Sequence, residues 1–88
     1  MDKKAEISAA AAILEQVAQA AIAAARRCAA GAARGDEHDR GAVMAYYDVL
    51  DVIAQQRQVL DFQFHQRDLN DFDPEELLRL SAPKQKAA

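Results

Sequence analysis

The 88-residue chain is 51% apolar and 28% charged, with a net charge of −3. That size admits one small domain, and the charge balance supplies no basic field for non-specific binding to nucleic acid or anionic membrane. The single cysteine, Cys28, excludes an internal disulfide and predicts a reducing, cytoplasmic setting.

The N-terminal part is alanine, the best helix former, from Ala5 to about Arg34, with the first glycine only at Gly31. Glu6, Ser8, Glu15, Gln16 and Gln19 break the apolar core that a signal peptide needs. Arg26 and Arg27 interrupt the run before it reaches the roughly 20 apolar residues of a membrane span. Ile7, Leu14, Ala21 and Cys28 recur every seven residues, with Ala10, Val17 and Ala24 between them. This reads as a heptad-like seam with small knobs, and it places Cys28 in a buried, inert position. Alanine abundance and an excess of arginine over lysine point to a GC-rich bacterial or phage gene.

Apolar periodicity disappears from Ala30 to Arg40. Gly35 suits the left-handed position after a helix, and Asp36 suits the N-cap of the next, so the turn is placed at residues 35–36. A connection this short favours an antiparallel pair of helices, each about 45 Å long.

The second helix is predicted from Glu37 to about Arg67. Val43, Tyr46, Tyr47, Leu50, Ile53, Leu60 and Phe64 repeat at helical steps and form its core stripe. Val49, Val52 and Val59 make a second, narrower stripe, so the apolar arc is wider than one neighbouring helix can cover. Arg57 falls within the core stripe, either as a packed stem whose guanidinium reaches water or as a paired charge that fixes register.

A short third helix is predicted over 74–80, within an organised piece from Leu69 to Leu80. Asp73 is its N-cap, Pro74 its first residue, Glu76 completes a capping box, and Phe72 and Leu77 form a hydrophobic staple. Residues 81–88 read as a flexible tail, leaving 1–80 as a single helical domain.

No convergent chemistry emerges. Asp61 and His65 share a helical face in this reading but lack a third metal ligand. Residues 68–73 lack the glycine of a calcium loop, and phosphate-loop and nucleophile–base patterns are absent. The expectation is therefore a protein that is not an enzyme, with no catalytic or metal residues and no cofactor.

The expected fold is all-α: an antiparallel helical hairpin plus a short C-terminal helix, dimerising into a four-helix bundle to cover the wide arc. Two long helices, a tight turn and an alanine-lined seam are similar in layout to the small RNA-binding hairpin dimers that regulate plasmid copy number. That likeness is one of architecture, and no recognition residue is matched. The first functional expectation is a small regulatory or adaptor homodimer that binds another protein through Tyr46, Tyr47, Phe62, Leu69, Phe72, Leu77 and Leu78. A second is a hairpin-dimer nucleic-acid regulator using the turn arginines Arg26, Arg27, Arg34 and Arg40. A third is an inhibitor encoded by a mobile element and aimed at a host protein.

Overall fold

A computed structural model describes the backbone of residues 3–83 and the side chains from Ala9 to Pro83. The described chain is all-helical: α1 (Lys3–Ala33), α2 (Glu37–Leu60), α3 (Arg67–Asp71) and α4 (Glu75–Ser81). The predicted side-chain role of Ile7 and the end of the tail, 84–88, lie outside the described residues.

The α1–α2 turn follows the expected chemistry. Asp36 N–H donates to Gly31 O at 3.1 Å and Gly35 N–H to Ala32 O at 2.9 Å, with Gly35 at φ +97°, so the last carbonyls of α1 are satisfied by a left-handed glycine cap. Asp36 Oδ1 then accepts from Asp39 N at 3.0 Å and caps α2. Arg40 ties the two helices together by donating from Nη2 to Ala32 O at 2.9 Å.

The end of α2 departs from the sequence reading. The helix stops at Leu60 rather than near Arg67, because Asp61 takes the left-handed conformation at φ 51° and ψ 44°. Phe62 N–H donates to Arg57 O at 2.9 Å, so the same closing motif is built on an aspartate in place of glycine. Residues 62–66 are loop, and Leu69 sits in the separate helix α3. Asp61 and His65 consequently do not share a helical face.

Asp73 caps α4 as expected, its Oδ1 accepting from Glu75 N at 3.0 Å. The capping box is not closed, since Glu76 reaches across to Arg26 instead. Ser81 is not tail: it is the buried last residue of α4, and its Oγ donates to Leu78 O at 3.2 Å.

The core runs along the α1–α2 contact. α1 contributes Ala18, Ile22, Ala25, Ala29 and Ala32, and α2 contributes Val43 and Leu50, with Phe64, Leu69 and Leu77 added by the later segments. The α1 stripe is thus rotated from the predicted seam. Leu14 and Val17 are exposed, while Ala21 and Cys28 are half-buried at its margin. Alanine explains the offset. Its methyl group is small enough for any α1 face to approach α2 closely, so the few larger residues do not dictate which face turns inward.

Candidate functional site

The α4 side of the molecule is closed. Leu77 is 0% exposed, packed with the core residues of α1 and α2. Two adjacent glutamates then bridge the long helices. Tyr47 O–H donates to Glu75 Oε1 at 2.6 Å, and Arg26 pairs with Glu76 at 2.9 Å while stacking over Phe72 at 5.3 Å. The Glu75 carboxylate accepting that phenolic proton, with burial adding to it, pushes the Tyr47 pKa up to about 12.

The loop after α2 is clamped from three directions. Glu15 Oε1 of α1 accepts from the backbone N–H groups of His65 and Gln66. Asn70 Oδ1 accepts from Phe64 N at 2.7 Å, and its Nδ2 donates to Phe64 O at 2.9 Å. Arg57 Nη1 donates to Asn70 O at 3.3 Å, and the guanidinium lies 5.4 Å from the Phe64 ring centroid. The guanidinium thus meets a backbone carbonyl and an aromatic ring, not the paired carboxylate of the register idea, and its Nε is buried without a partner among the described residues.

These contacts account for most of the residues singled out as partner contacts. Leu69 and Leu77 are in the core, and Tyr46, Tyr47, Phe62 and Phe72 are half-buried against it. Phe62 meets Phe64 edge-on, with ring centroids 5.5 Å apart. Leu78 is half-buried. Of the four turn arginines, Arg26 and Arg40 are engaged within the chain, and Arg27 and Arg34 are exposed. Sequence reasoning missed the roles of Glu15 and Asn70, because a hydrogen-bonding clamp on a loop leaves no periodic signal.

The opposite side is open. Val52 is 57% exposed, Val59 76% and Leu60 69%, with Val49 also exposed on α2 and Ile13 and Val17 on α1. Val17 and Arg26 are nine residues apart, about 180° round α1, and Tyr47 and Val52 are about 140° apart round α2. Both apolar faces therefore turn away from the side that α4 occupies. Leu14, Val52, Ile53, Leu60 and Phe62, together with Gln56 and Arg57, line a groove of about 290 Å³. The valine stripe lies where the sequence placed a second stripe in need of cover. Leu60, assigned by periodicity to the core stripe, belongs to this face instead.

A polar cleft of about 430 Å³ beside Arg57 and Asn70 is also lined by Asp61 and Asp73, so it offers charges of both signs and no focused field. Among the described residues, no three His, Cys, Asp or Glu side chains converge as a metal site would require, and no helix is long and apolar enough to cross a membrane. Compared with known proteins, the chain matches no family, no curated protein and no solved structure.

Proposed function

We propose that the chain is a small regulatory or adaptor module that acts by protein–protein interaction through a helical face. In this reading α1 and α2 form an antiparallel hairpin. α4 staples one side of it, and the other side is the binding surface. The observation that carries the reading is the shared apolar face of Leu14, Val17, Val49, Val52 and Leu60, exposed on the side away from α4. A monomer rarely exposes a continuous apolar patch above a few hundred Å² without using it. A helix pair of matching length is the natural cover, and two hairpins placed face to face make a four-helix bundle. The nucleic-acid alternative draws less support, since Arg26 and Arg40 already have partners within the chain.

The test is absolute mass by light scattering over a dilution series, with helicity followed in parallel, for the wild type and for Val52→Asp. Val52 is exposed, so the variant is expected to fold and to lose association. A wild type that is fully helical and monomeric, with Val52→Asp indistinguishable from it in mass and in column retention, would remove the reading.

A further inference from the structure

We propose that the occupant of this face is a second copy of the chain, related by a two-fold axis running along the hairpin, so that α1 of each copy lies against α2 of the other. The inference rests on the interaction-module reading above and adds the partner and its orientation.

Area supports self-association. The exposed α2 stripe from Ala45 to Leu60 is about 22 Å long and the two-helix face about 20 Å wide, from helix rise and interaxial spacing. Each copy thus offers on the order of 450 Å², and the corrugated surface buried by a pair reaches the roughly 1,000 Å² that a specific interface needs. A polar Gln56 within the α2 stripe limits how deeply an unrelated apolar surface is rewarded there.

Charge selects the orientation. Glu75 and Glu76, adjacent on α4, bridge Tyr47 and Arg26, so residues 47–48 of α2 and 26–27 of α1 lie at one level along the hairpin. Arg27 and Asp48 are both exposed, and among the described residues neither has an ion-pair partner. By helical rotation each lies on the outer margin of its own helix, away from the α1–α2 contact. They therefore sit on opposite edges of one hairpin and cannot pair with each other. An axis along the hairpin preserves level and exchanges the two edges, bringing Arg27 beside the partner's Asp48, and Asp48 beside the partner's Arg27. An axis across the hairpin would instead stack α2 on α2 and α1 on α1, so that Arg27 and the partner's Asp48 could not meet. The alanines at the α1 edge, Ala20 and Ala24, let the axes approach closely enough for these marginal side chains to meet.

The experiment measures the dimer dissociation constant for the wild type, Arg27→Glu, Asp48→Lys, the double variant and an equimolar mixture of the two single variants, with Val52→Asp as control. All three sites are exposed, and helicity checks folding. Each single variant is expected to weaken the homodimer by about three- to tenfold at low salt, the range of exposed ion pairs. The double variant should return to the wild-type value. The mixture should form heterodimers with near wild-type affinity, because both contacts across that heterodimer are then opposite in charge. A wild-type dimer that is lost in Val52→Asp but indifferent to the charge changes overturns the orientation and leaves the interaction face standing. A monomeric wild type overturns the second copy as occupant. A dimer that survives Val52→Asp overturns the face itself.

Discussion

The side-chain amide of Asn70 engages both backbone polar groups of Phe64, accepting from its N–H at 2.7 Å and donating to its carbonyl at 2.9 Å. Since the backbone carbonyl of Asn70 also receives Arg57, one residue joins the end of α2, the loop and α3. Asn70→Ala leaves the two half-buried backbone groups of Phe64 without partners and is expected to cost about 1–3 kcal/mol. Asn70→Asp keeps the acceptor but sets a carboxylate oxygen against the Phe64 carbonyl, so its loss should be at least as large. Urea unfolding, read as a shift in midpoint at unchanged slope, checks both.

Gly31 lies where α1 passes the first turn of α2. A Cβ built there would sit on the Asp39 carboxylate and stand 3.1 Å from Asp39 Cβ, so turning the carboxylate aside does not by itself clear the space. Gly31→Ala should therefore destabilise by about 1–3 kcal/mol despite the better helix propensity of alanine. Removing the obstacle in Gly31→Ala/Asp39→Ala should recover most of that loss. If the double variant were no more stable than Gly31→Ala alone, close approach to Asp39 would not be the cause.

Tyr47 supplies an alkaline signature. Its folded pKa stands near 12 against 10.0 for an unperturbed phenol, so the neutral form is the one the fold prefers. The Tyr47–Glu75 contact is therefore fully present below about pH 10 and is lost as pH rises toward 12. Tyrosinate absorbance should show a late-titrating phenol, and Glu75→Gln should move it back toward 10. Titration unchanged in Glu75→Gln would show that the carboxylate is not its source.

Leu77 and Leu80 lie three residues apart on α4, one fully buried and the other 46% exposed. Leu77→Ala is expected to cost about 2–5 kcal/mol by opening a cavity between α4 and the long helices, while Leu80→Ala should cost under about 1 kcal/mol. Hydrogen exchange should show α4 losing protection in Leu77→Ala before α1 and α2 do.

Helical class, the Gly35–Asp36 turn and the Asp73 cap were legible because each depends on residues close in sequence. The end of α2 was not. Leu60 and Phe64 continue the helical spacing through the break, and Asp61 closes the helix in a conformation that glycine usually signals. The orientation of α1 was illegible for a different reason: in a helix so rich in alanine, every face is compatible with burial. The open face was half legible. The valine stripe of α2 announced a surface in need of cover, while Leu14 and Val17 were masked by their apparent place in a seam. Tyr46 and Tyr47, placed in the core stripe, and Phe72, placed in a staple with Leu77, were also offered as partner contacts, since nothing local shows that α4 and the loop fold back onto them.

The α1 core stripe is nearly smooth. Ala18, Ala25, Ala29 and Ala32 present methyl groups with no rotamers to interlock, and Ile22 is the one larger side chain among them. A smooth rail resists separation but offers little resistance to sliding. Alignment of the two long helices must then be set by polar ties: Arg40 on Ala32 at the turn, Arg26 and Tyr47 through the glutamates of α4, and Glu15 on the loop. The molecule behaves as a pair of rods pinned at three stations along their length. Cutting one pin should loosen its own stretch while the other two keep the register.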